Sequence, residues 1–358
     1  MSLTSSPPTP PDQARTGSGP GTAVRRTGVL LALLTAVVLA CLASVLVGAK
    51  HVPPGEALRA LTGDRSGDAL LVAELRFPRT LLGLLVGIAL GVAGTLAQEL
   101  TRNPLGDPGL LGVSAGAAVS VAAGIGVLGL TSPYQYVWFA FLGATLAGAL
   151  VYLLGGAARS TAHSGGASPV KLALAGAAVT ALLMSLTHAL VLLDIRTLDQ
   201  YRFWAVGSLA GRDGALAGQL SPFVLAGLLL AVALTPRLNA LALGDDLAAS
   251  LGVKVGVTRL LGAVAVIVLT GAAVAAAGPV TFVGLVVPHL VRSFVGPDLR
   301  WLLPGAGLAG AALLLGADTL GRLLDHPGEV QAGVVTAMIG APFLIVLVKR
   351  GRFRERAR

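Results

Sequence analysis

Several scarcities narrow the field before any motif is read. The 358 residues hold one cysteine, Cys41, which excludes an internal disulfide framework and a four-cysteine metal site. Charged residues make up only 12%, too few to coat a soluble globule of this length. Aromatics are 4%, and no basic, aromatic-interleaved stretch exists, so the net charge of +9 does not describe a nucleic-acid surface. None of the four lysines follows a glycine-rich phosphate cradle of the form GxxxxGK with Ser or Thr, so the chain is not expected to hydrolyse ATP. The five histidines, His51, His163, His188, His289 and His326, lack metal-ligand spacing. Enzymatic activity has no residue-level support.

What is plentiful is apolar. Hydrophobic residues reach 54% and the mean hydropathy is +0.82, the signature of an all-α, polytopic membrane protein. Apolar runs fall near 29–49, 81–97, 110–130, 137–157, 171–193, 219–235, 260–277, 278–296, 301–317 and 332–348, giving about ten transmembrane helices. As one helix, 260–291 would be about 48 Å long against a hydrocarbon core of about 30 Å. Gly278-Pro279 divides it into two spans. Phe203–Gly218 is too polar and short to span and reads as an interfacial half-helix, with Trp204 at its start. Residues 1–24, rich in Pro, Ser, Thr and Gly, read as a disordered cytoplasmic tail ahead of a transmembrane domain over 25–358.

Charge sets the orientation. With the N terminus inside, 17 of the 26 Lys/Arg residues face the cytoplasm, as the positive-inside rule favours. Both termini are basic and therefore both cytoplasmic, which demands an even number of spans. Gly83, Gly87, Gly91 and Gly94 form a small-residue ridge that lets helices approach closely. Asp194, Asp318 and Asp325 fall at span ends where water can solvate them, and Asp318 and Arg322 form an i,i+4 pair if helical. The lack of a mid-membrane carboxylate weighs against an ion-gradient-driven secondary transporter, the rival from another class. The loop Leu238–Arg259 reads as two short amphipathic helices around Gly244 and Gly252, a natural docking element on the membrane face.

At these positions the chain resembles the FecCD-type permeases, membrane subunits of ABC importers for iron-siderophore complexes, haem and cobalamin. The resemblance runs from about Arg25 to Arg350. It rests on Arg76-Phe77-Pro78-Arg79, Gln98 with Arg102-Asn103-Pro104-Leu105, Leu111-Gly112-Val113-Ser114 after Pro108, and Gly207-Ser208-Leu209 after Trp204. It continues in Leu243-Gly244-Asp245-Asp246, Ser250-Leu251-Gly252-Val253, Phe282-Val283-Gly284-Leu285, Pro288-His289 with Arg292, Asp318 with Arg322, and Glu329 before Gly340-Ala341-Pro342-Phe343.

The resemblance implies a ten-helix permease in a bacterial plasma membrane. It would pair with an identical or paralogous second permease, be driven by two cytoplasmic ATPase subunits, and be fed by an extracytoplasmic substrate-binding protein. ATP and magnesium would sit on the ATPases, and this chain would hold no cofactor or metal. Arg76, Arg79, Arg322 and Glu329 resemble the docking positions for the binding protein. Asn103, Pro104 and Leu105 resemble a cytoplasmic gate, though a simple helix-ending turn explains them too. Leu243, Gly244, Asp245, Asp246, Ser250, Leu251 and Gly252 resemble the ATPase-coupling segment. A ferric siderophore is the expected cargo, with haem or cobalamin as alternatives. Where many relatives carry tryptophan, Gly214 stands here.

Overall fold

The computed structural model describes residues 20–48, 50, 52–157, 169–212, 214–325 and 328–356. Among them there are helices and turns but no strand. In chain order the helices are α1 Pro20–Leu46, α2 Pro54–Leu61, α3 Gly67–Leu71, α4 Phe77–Thr101, α5 Val113–Gly126, α6 Pro133–Ala157, α7 Pro169–Leu193, α8 Ile195–Ala205, α9 Gly214–Leu241, α10 Asp245–Ser250, α11 Val255–Ala277, α12 Val283–Val295, α13 Leu299–Leu324 and α14 Ala332–Arg356. A single wide turn over Val72–Arg76 fuses α3 to α4. Seven described helices are long and apolar enough to cross a membrane; α5, α12 and the apolar part of α14 are shorter. These ten segments coincide with the ten apolar runs.

Helix α4 sits at the centre, and small residues put it there. A Cβ on Gly91 would lie 2.1 Å from the Ala306 carbonyl oxygen of α13, and one on Gly94 2.0 Å from the Gly284 oxygen of α12. No side chain fits at either place, so the backbones touch directly. Helices α9, α11, α12 and α13 surround α4, while α1 lies outside with most of its surface uncovered. The anticipated break between α11 and α12 is present. α11 ends at Gly278, whose φ is +75°, and α12 begins after Phe282.

Three details depart from the sequence reading. Helix α1 already starts at Pro20, so the tail reading reaches too far at 20–24, and residues 1–19 lie outside the described residues. The polar half-helix is α8, which ends at Ala205, and Trp204 is its buried last turn rather than its start. Asp194 explains the shift: its carboxylate caps α8 by accepting the N–H of Thr197 at 3.0 Å and the Thr197 hydroxyl at 2.8 Å. Those bonds, the hydroxyl first, hold the carboxyl below its usual range. Finally, the loop before α11 holds one short helix, α10, bracketed by Gly244 (φ +111°) and Gly252 (φ +81°), instead of two.

Candidate functional site

Two charged clusters lie at opposite ends of the bundle. The ends of α1 and α13 meet through Arg322 and the α1 carbonyls, and α14 then runs back toward the other end. Both described chain ends therefore share one end of the bundle, the near end. The cluster opposite them is at the far end.

At the far end Arg76 and Arg322 are each only 6% exposed. The Arg76 guanidinium donates to the carbonyls of Val45 and Leu46, both at 2.8 Å, and to that of Lys50. Arg322 donates to the carbonyls of Ser44 at 2.9 Å and Val47 at 2.7 Å. Those of Ser44, Val45 and Leu46 are the last acceptors of α1, which have no intrahelical partner; two arginines from elsewhere in the chain complete them and the carbonyls of Val47 and Lys50 just beyond. Arg79 clasps Asp318 through Nε and Nη2 at 2.8 to 3.2 Å and reaches Glu329 with Nη1 at 2.8 Å.

The Asp318 side chain is 0% exposed and also lies 3.3 Å from Arg322. The expectation that water solvates it is therefore wrong: two guanidiniums replace the water, as a buried carboxylate requires. The i,i+4 pair with Arg322 is present, but Arg79 of α4 is the closer partner.

Above this cluster a cavity of about 350 Å³ opens, lined by Lys50, Arg76, Arg79, Arg212, Arg322 and Glu329 among others. A neighbouring cavity of about 320 Å³ shares Arg212 and Glu329. Thus the four far-end residues are brought together, two facing inward as caps and two, Arg79 and Glu329, nearer the opening. Sequence reading gave Arg212 no role. Its only signal is a basic residue in the non-helical stretch after Gly211 (φ +66°).

At the near end α4 stops abruptly. Arg102 takes a left-handed conformation with φ +48°, uncommon for a side-chain-bearing residue. Asn103 then closes a turn, its side-chain oxygen accepting the Leu105 N–H at 2.9 Å and its carbonyl the Gly106 N–H at 2.8 Å. Asn103, Pro104 and Leu105 are exposed. The turn is thus a real helix terminator at the surface.

Arg102 connects it to α10. Its guanidinium bonds the Leu241 carbonyl at 3.1 Å and the Asp245 carboxylate, and the same carboxylate takes Arg259 of α11 at 2.9 and 3.0 Å. Asp245 and Asp246 occupy the first turn of α10, where negative charge suits the helix dipole. On the other side of α10, Leu243, Leu247 and Leu251 are 61%, 50% and 61% exposed. Leu243 precedes the helix, while Leu247 and Leu251, four residues apart, share one side of it. Leu247 was missed in the sequence because no motif marks it; only the spacing could. Ser250 turns its hydroxyl back on the Leu247 carbonyl at 2.8 Å. Beside this, Gln98 and Glu99 hold Arg292 of α12 at 3.1 and 2.7 Å.

Among the described residues no group of three or more His, Cys, Asp or Glu side chains could hold a metal. His289 packs its ring edgewise against Phe343 with centroids 6.0 Å apart, while His51, His163 and His326 lie outside the described residues.

The model of the FecCD transport family matches residues 34–350. The chain belongs to that family. Two relatives align with it over nearly their whole length. The ferric enterobactin transport system permease protein FepD of Escherichia coli (strain K12) is 46% identical over 330 residues, 92% of this chain and 97% of the relative. The hemin transport system permease protein HmuU of Yersinia pestis is 38% identical, over 89% and 95%. A solved chain of an ABC transporter assigned to the metal-chelate type, in an inward-facing conformation, superposes with a TM-score of 0.77 at 28% identity, covering 90% of this chain and 99% of that one. The chain is a multi-pass membrane protein of this transport family.

Proposed function

We propose that the chain is the membrane permease of an ABC importer that carries a ferric siderophore into the cytoplasm. It would pair with a second permease and be powered by two ATPase subunits. The observation that carries this reading is the near end: exposed Leu247 on α10, with Leu243 and Leu251 flanking that helix, lies beside a carboxylate tied to the turn that ends α4. In this reading the leucines enter an ATPase groove, and movement of α10 reaches Asn103-Pro104-Leu105 through Asp245 and Arg102. No chemistry in this chain is needed, only two arrangements of one packed element. The near end is then cytoplasmic, in keeping with the 17 basic residues assigned there.

At the far end an extracytoplasmic binding protein would dock over the cavity at Arg79, Arg212 and Glu329. Its charges would steer association and fix register more than add affinity. Arg76 and Arg322 serve that surface from beneath, by fixing the end of α1 that borders it. The siderophore assignment draws support from the 46% identity to the ferric enterobactin permease.

The test is reconstitution. Vesicles holding the chain with its ATPase and binding protein take up ferric siderophore only with ATP, and Leu251→Asp leaves ATP hydrolysis running while uptake falls, because a carboxylate cannot be buried in an apolar groove. Uptake driven by an ion gradient alone overturns the importer reading. Uptake of haem or cobalamin in place of the ferric siderophore moves the substrate.

A further inference from the structure

We propose that the groove between α9 and α13 seats an anionic phospholipid of the cytoplasmic leaflet, with an acyl chain in the groove and the phosphate on Arg300. The inference rests on the orientation proposed above. The groove encloses about 660 Å³, with Leu228 and Val232 on one wall, Leu303 and Leu308 on the other, and Ile88 and Val92 of α4 as its floor. The hydroxyl of Thr235, which also lines it, is turned back on the Ala231 carbonyl at 3.1 Å, so the polar side chain within the groove is already satisfied. An apolar guest is the only kind that fits such walls.

Length and position select the guest. The lining runs from Leu228 to Pro236 on α9 and from Leu299 to Leu308 on α13, about 12 and 14 Å of helix at ~1.5 Å per residue. That is close to half of a hydrocarbon core of about 30 Å. Both stretches belong to the near-end halves of their helices, so the groove is one leaflet deep and opens in the inner one. A chain crossing the whole membrane would need a groove twice as long.

Charge completes the choice. Arg300 lines the groove at its near-end mouth. It is exposed and joins no ion pair among the described residues. The adjacent acid, Asp298, is already engaged: it accepts the Asn239 amide at 2.8 Å and the Arg300 backbone N–H at 3.0 Å. A free guanidinium above a one-leaflet apolar groove complements a phospholipid whose headgroup carries net negative charge.

Native mass spectrometry of the full chain in mild detergent, offered phosphatidylglycerol or phosphatidylcholine, reads the outcome. Phosphatidylglycerol is retained preferentially. Arg300→Gln lowers its retention roughly fivefold, the effect of one charge, and leaves phosphatidylcholine unchanged. Gly307→Leu, whose Cβ would meet Ile88 and Val92 at 3.5 Å without clash, fills the groove and lowers both lipids. Equal retention of the two lipids by the unaltered chain, or phosphatidylglycerol retention unmoved by either variant, overturns the proposal. Thiol labelling of a Lys254→Cys chain scores sidedness separately. Labelling only from outside overturns the orientation and the leaflet with it, whereas failed retention with labelling from inside overturns the lipid seat alone.

Discussion

The two ends of the bundle use the same residue types in opposite ways. At the far end Arg76, Arg79 and Arg322 are sunk among carbonyls and a fully buried carboxylate, so their charge is spent inside the fold. At the near end Arg102 and Asp245 stay partly in water, and one carboxylate serves two arginines from different helices. Removing a partner from a buried network leaves an unpaired charge and is costly, whereas an exposed pair contributes little to stability. The far end is thus built to hold, whereas at the near end the exposed Arg102 arm can let go of Asp245 at small cost while the buried Arg259 keeps it. A transporter driven from its near end needs that asymmetry.

The contrast can be broken at Asp318. Asp318→Ala strips Arg79 and Arg322 of their shared buried anion and is expected to cost about 3–5 kcal/mol, seen as a lowered thermal unfolding midpoint in detergent. A midpoint within error of the parent would show that water, not the carboxylate, balances those arginines.

Asp245→Asn probes the opposite end. Its stability effect stays smaller than that of Asp318→Ala, because Asp245 is 25% exposed although its partner Arg259 is only 8% exposed, yet ATP-driven uptake in vesicles falls roughly tenfold, the size of a typical coupling energy between sites. Equal losses in stability and uptake would erase the distinction between the two ends.

Arg102→Gly sharpens the contrast further. Glycine relieves a left-handed residue whose strain is worth about 1 kcal/mol or more, so the unfolding midpoint is unchanged or rises while uptake still drops. A fall in both would assign Arg102 to structure alone.

The smallest effect concerns pH at the end of α7. Asp194 has a depressed carboxyl, so its cap on α8 is complete above the ordinary carboxylate range and is lost as pH falls through the lowered value. Hydrogen exchange in α8 should quicken only in acid, and Asp194→Asn should flatten that dependence.

Much of this architecture was open to reading in the chain. The ten apolar runs became ten apolar helices because backbone groups in hydrocarbon must pair within their own segment, and Gly278-Pro279 broke the long run where a proline has no N–H to give. The glycine ridge of α4 foretold close helix packing but neither its central place nor which neighbours would press on Gly91 and Gly94. Local signals could have corrected two details, since Asp194 with Thr197 spells a helix start and Gly244 with Gly252 brackets a single short helix.

What could not be read is long-range. Arg76 and Arg79 are separated by only two residues, yet one caps α1 and the other clasps α13. The burial of Asp318 depends on Arg79, 239 residues away in the chain. Charge and spacing bring such residues to the same end; only packing decides which are exposed.

The completion of α1 by Arg322 bears on how the chain is made. A ribosome delivers α1 first, but one of the two arginines that close its final turn is synthesised 278 residues later. Until α13 arrives, those carbonyls sit at the membrane surface and rely on water. Helix α1 therefore gains half of its closing arginines within about 30 residues and the other half only after nearly all the helices that follow it.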